Sequence, residues 1–117
     1  MLAKSARLTE SADFARATKS GLRFSTSHFV GYLYPTNLDQ PARAGLIISK
    51  HVGGSVTRHR IARKVRHTSR YIYAQLPTGG LSVIRALNSA HEADASQEVT
   101  KIVGQLLKKF AEKAEQK

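Results

Sequence analysis

Cysteine is absent from the 117 residues. Disulfide and thiolate chemistry are therefore excluded, and the absence leans towards a reducing compartment. No stretch reaches the roughly 18 consecutive apolar residues that mark a membrane span. Lys4 and Arg7 stand near the start, but no apolar segment follows them, so no secretory signal is expected. A cytoplasmic protein is the default expectation. Acids are scarce: eight Asp and Glu face nineteen Lys and Arg, a net charge of +11. So large a charge on so short a chain repels itself unless something anionic binds it, nucleic acid first and a membrane surface second. Hydrophobic residues make up 41%, which excludes a disordered tail and points to a single domain over residues 1–117 with its own core.

The basic excess is regional. Between Asp39 and Glu92 there is no acid, while the same window holds nine bases, six of them within residues 58–70. The last third mixes both signs as an ordinary solvated helix does, and its end, residues 112–117, is the part expected to fray.

Hydrophobic periodicity supplies the elements. Residues 9–19 read as a short helix, capped by Thr9 or Ser11 and stopped at Gly21. Residues 22–34 read as extended. Alternation puts Val30, Tyr32 and Tyr34 on one face and Phe29, Gly31 and Leu33 on the other. After the turn-rich loop of residues 35–41, residues 43–49 form another strand, and the short loop suggests an antiparallel hairpin with residues 28–34. Gly53 and Gly54 break the chain, and Ser55 or Thr57 caps a helix reaching residue 76. Residues 81–87 form a strand. Ser96 caps a final helix whose Val99, Ile102, Val103, Leu106, Leu107 and Phe110 recur at helical spacing. The order α-β-β-β-α-β-α belongs to the α+β or mixed α/β class.

The helix of residues 55–76 carries the functional argument. At about 100° per residue, Ile61, Val65, Ile72 and Leu76 fall on one side, with Ala62, Thr68 and Ser69 at its margins. His59, Arg63, Arg66 and Arg70 lie opposite, extended by Arg60, Lys64 and His67 on one flank and Arg58 on the other. No carboxylate on this helix offsets the repulsion, which costs a few tenths of a kcal/mol per like-charged neighbour pair. Phosphates remove that cost, and the planar guanidinium suits phosphate contact and base stacking. Three blander readings stand beside this one: a solvated face, a membrane-surface helix, and a DNA-reading helix-turn-helix. The second lacks Trp and Phe on its apolar side. The third needs no strands between its helices.

At SKHVGGSVTRHRIARKVRHTSRY, residues 49–71, the sequence resembles the bacterial ribonuclease P protein subunit. That family has a strand ending in Ser-Lys-Lys-Val-Gly, then a helix with Arg-Asn-Arg-Ile-Lys-Arg and further arginines. Ser49, Lys50, Val52 and Gly53 match the first part, and Arg58, Arg60, Ile61, Arg63 and Arg66 the second. RLTESADFARATKSG (7–21), SHFVGYLYP (27–35) and LSVIRAL (81–87, with Arg85) resemble flanking pieces in the same order. His59 departs from the usual Asn and His51 from the second Lys. Thr18 stands where a second aromatic is common.

The resemblance implies an α+β sandwich with a sheet of about four strands and a left-handed β-α-β crossover. It implies a subunit that helps remove the 5′ leader of precursor tRNA. A large RNA partner performs the hydrolysis, with magnesium or another divalent metal held mainly by that RNA. Lys50, Arg58, His59, Arg60, Arg63, Lys64, Arg66 and Arg70 would then face the RNA, and Phe14, Val30 and Tyr32 would line a leader cleft. Contact with DNA or membrane is not expected. From the residues alone, Phe14 and Tyr32 read as core first and as stacking platforms second. No catalytic or metal-binding set is read in the chain. His59 and His67 share no carboxylate, and the bases have no clustered acids beside them. A basic ribosomal or assembly protein and a nuclease acting without RNA are the competing readings.

Overall fold

The structure is a computed structural model that describes residue 8 and residues 11–36, 42–76, 79–88, 90 and 95–115, with the backbone alone for residues 71, 72, 74 and 113–115. The elements are α1 (Ser11–Ser20), β1 (Leu22–Ser25), β2 (Phe29–Tyr34), β3 (Arg43–Ile47), α2 (Ser55–Ile72), β4 (Leu81–Ala86) and α3 (Ala95–Glu115). One-turn 3-10 segments, Lys50–Val52 and Tyr73–Gln75, flank α2. The α+β class and the element order agree with the sequence reading. The cap expected at Thr9, the core position of Ile72 and residues 116–117 lie outside what is described. α3 itself continues to Glu115, into the segment expected to fray.

The strand order is β1-β2-β4-β3. β2 pairs antiparallel with β1 on one side and β4 on the other, and β3 pairs parallel with β4. The expected hairpin between β2 and β3 does not form, because β4 lies between them. Burial explains the choice: every residue of β4 is buried except Arg85, so it needs a neighbour on both edges. β3 is only half-buried along its length and takes the edge. The stretch of residues 22–34 is likewise two strands, with Thr26 N–H donating to Phe29 O at 2.9 Å across the bend. Glu98 of α3 holds that bend: one carboxylate oxygen accepts from Thr26 Oγ1 (2.6 Å) and His28 N (3.0 Å), and the other lies 3.0 Å from His28 Nδ1.

Both faces of the sheet are covered, as the alternation in β2 requires. Phe29, Leu33, Ile84 and Ala86 pack with Ile61 and Val65 of α2 and with Val99, Ile102, Val103 and Leu106 of α3. On the opposite face Val30, Tyr32, Leu81 and Val83 pack with Leu8, Ala17 and half-buried Phe14 under α1. α3 rests so close to β2 that a Cβ at Gly31 would overlap Ile102 Cγ2, with Leu106 Cδ1 at 3.1 Å. A bare Cα is what permits that approach. Gly31→Ala is therefore expected to destabilise the fold by about 1–3 kcal/mol through overpacking. A lower urea midpoint at unchanged slope is the measurement that checks it.

Candidate nucleic-acid interface

α2 begins without a side-chain cap: Gly54 is its N-cap residue, and Ser55 and Thr57, the two expected caps, are both already helical. The helix is held from its inner side. Ile61, Ala62, Val65 and Thr68 are buried, and Thr68 Oγ1 lies 3.0 Å from both Lys64 O and Ser96 Oγ, tying α2 to α3. Ser96 does not take the cap position expected of it; it is the second residue of α3 and serves this junction.

The outer side is uniformly basic. His59, Arg60, Arg63, Lys64, Arg66, His67 and Arg70 line one open groove together with Val56 and Ser96, on the side of α2 that helical period sets away from buried Ile61 and Val65. All seven basic side chains are exposed. Ion pairs among the described residues join Asp13 to Arg16 and Arg43, and Glu98 to His28; none reaches an Arg or Lys of α2. Like charges thus sit side by side over several turns, and no ion pair among the described residues neutralises the Arg and Lys of this side. The expected strip is present as one continuous side of one helix.

Two expected members lie off it. Arg58 is half-buried, its Nε sealed from solvent without a hydrogen-bond partner, and it does not line the groove. It stands three residues before Ile61 and seven before Val65, so it shares the side of α2 that those residues bury. Lys50 is exposed in the 3-10 turn ahead of α2, and it too is outside the groove. Two groove residues were not among the expected ones, although Val56, three residues before His59 and seven before Arg63, shares their side of the helix. Val56 is 80% exposed although its residue type suggests a core position, while Ser96 arrives from α3 through tertiary packing.

Phe14, Val30 and Tyr32 come together on the α1 face. They are packed rather than open: Val30 is 4% exposed, Tyr32 7%, and Phe14 is half-buried. Gly45 of β3 makes room for the Phe14 ring, since a Cβ there would stand 2.6 Å from Cζ. Thr18, at the position where an aromatic is common, donates its hydroxyl back to Phe14 O at 2.9 Å.

A sheet covered on both faces, with one helix turning a side of seven exposed basic residues outward, defines the class: a basic α+β protein with a cationic face. No helix among the described residues is long and apolar enough to cross a membrane. A family model described as Ribonuclease P matches residues 2–111. The ribonuclease P protein component of Streptomyces griseus subsp. griseus is 40% identical over 105 residues, covering 83% of this chain and 85% of that protein. Its counterpart in Mycobacterium tuberculosis is 39% identical over 97 residues, covering 83% of each. The solved Staphylococcus aureus RNase P protein mutant with defective mRNA degradation activity has a TM-score of 0.74 at 25% identity, over 92% of this chain and 90% of that one. The chain belongs to the ribonuclease P protein family. Its role is that of the protein part of an endoribonuclease ribonucleoprotein, in 5′ processing of tRNA.

The packing separates structural from surface roles. Tyr32→Ala is expected to cost about 3–5 kcal/mol, as truncation of a buried aromatic does. Arg63→Ala is expected to change stability by no more than about 0.5 kcal/mol. Chemical unfolding of the two variants beside the parent chain checks both.

Proposed function

We propose that the outer side of α2 is the surface that meets the RNA subunit of ribonuclease P, with His59, Arg60, Arg63, Lys64, Arg66 and Arg70 as its phosphate contacts. The single observation that carries this is the exposed groove on one helix face, whose described lining holds seven basic side chains and no acid. Arg58 and Lys50 flank its start and act from outside the groove, Arg58 chiefly by packing. The substrate is precursor tRNA. Its 5′ leader is assigned to the α1 face, where Phe14 is the member with open surface above buried Val30 and Tyr32.

The chemistry belongs to the RNA. Among the described residues no three His, Asp or Glu cluster to hold a metal ion. Asp13 and Glu98 are both engaged with basic partners. Magnesium or another divalent metal is held by RNA phosphates, and the guanidinium groups of α2 lower the repulsion between the strands that gather there. The cytoplasm, where precursor tRNA is made, is the compartment this role requires.

Reconstitution tests the reading. The chain alone is expected to cleave precursor tRNA negligibly and to stimulate ribonuclease P RNA at low magnesium. Tight binding to ribosomal RNA without stimulation would favour a ribosomal or assembly role, and cleavage by the RNA-free protein would favour a nuclease acting alone. Arg63→Ala and Arg66→Ala are each expected to weaken RNA-subunit binding and flatten its logarithmic salt dependence, by up to roughly 0.9 for each phosphate no longer neutralised. Slopes identical to the parent's in a filter-binding titration would remove these two residues from the interface.

A further inference from the structure

Of the nine bases between Asp39 and Glu92, one is neutralised by an ion pair among the described residues. That base is Arg43, at the start of the edge strand β3. Its guanidinium lies 3.2 Å from Asp13 Oδ2, and its side chain retains 25% of its exposure. Asp13 is 8% exposed and sits in the first turn of α1. Arg16 stands 3.9 Å from the other carboxylate oxygen and is itself mostly exposed. The chain thus uses a nearly buried carboxylate to fasten α1 to the edge strand β3.

What α1 covers is aromatic. Tyr32 is sealed beneath it, Tyr34 is half-buried at its margin, and the Phe14 ring is lodged against Gly45. These are surfaces on which unpaired bases stack, at about 1–3 kcal/mol each. While α1 is seated, Tyr32 has almost no surface to offer.

We infer that the Asp13–Arg43 pair is a latch: a phosphate of single-stranded RNA that takes Arg43 from Asp13 releases α1 and uncovers Phe14 and Tyr32 for stacking. This rests on the RNA-binding reading above and adds to it a closed and an open state. The physical requirement is met, because the open state alone offers RNA both a free guanidinium and bare rings. A ligand shifts an equilibrium only by such a difference in affinity. A phosphate can engage the arginine fork through two oxygens, as a carboxylate can, so the exchange replaces one charge-assisted contact by another.

The test is amide hydrogen exchange of the full chain, with and without a short oligouridylate. Oligouridylate is expected to speed exchange in α1 while leaving β2 and β4 unchanged. Asp13→Asn is expected to speed α1 exchange by about tenfold without RNA, as removal of one charge-assisted hydrogen bond implies. It should also tighten oligouridylate binding more than Glu112→Gln, which makes the same charge change on the exposed side of α3. Gly45→Ala, which pushes the Phe14 ring off β3, should act in the same direction. Unchanged α1 exchange in Asp13→Asn, or protection of α1 by oligouridylate, overturns the latch. Should Asp13→Asn speed exchange throughout the sheet, the parent chain with oligouridylate decides on the same criterion. The RNA-binding reading fails separately: a chain whose α1 responds to oligouridylate but which does not bind ribonuclease P RNA keeps the latch and loses the proposed partner.

Discussion

The seam between α2 and α3 is the junction on which the rest depends. α2 carries six Arg and Lys and no acid, so its own side chains oppose helix formation, and it has no side-chain cap to offset them. Isolated, such a segment would be marginal at best. It is helical because Ile61 and Val65 are buried against Val99, Ile102 and Val103, and because Thr68 meets Ser96 at the same junction. The seam converts a self-repelling sequence into a rigid rail of charge. Whatever binds that rail relieves a repulsion the fold has already accepted.

The sheet keeps two kinds of surface apart. Its α3 face is closed, with Gly31 letting a helix sit almost on the backbone. Its α1 face is closed by a shorter helix and an ion pair, over aromatic side chains. The edges are also managed. Lys109 donates to Arg23 O at 2.8 Å and lies 5.5 Å from the Phe24 ring centroid on the β1 side, and Leu8 N–H donates to Ala44 O at 2.9 Å on the β3 side. Open strand edges invite pairing with other chains, and these contacts occupy them. The cationic groove, by contrast, is left uncovered by any described element.

Much of this was legible from residue spacing, for reasons particular to each element. The final helix declared itself through a long apolar repeat that survives any choice of partner. The basic side of α2 was legible because charge and core separate cleanly at helical period, and solvent exposure follows from that separation. Charge groups Arg58 with the basic side, although its spacing of three and seven residues from Ile61 and Val65 places it on the buried side. Tyr32 and Phe14 stayed ambiguous because an aromatic on a strand or short helix has the same pattern whether a neighbour covers it or not. The pairing of β2 with β3 was wrong because loop length favours near neighbours, while the burial of β4 on both faces outweighs it.

By itself the sequence determined the class of elements, their order, the α2 charge separation and the family, since each rests on local period or on motifs that read in one dimension. Tertiary structure alone decided the strand order, the contribution of Ser96 to the groove and the pairing of Asp13 with Arg43. These depend on which surfaces come within a few ångströms of one another. That is set by competition for burial across the whole chain, and no local pattern encodes it.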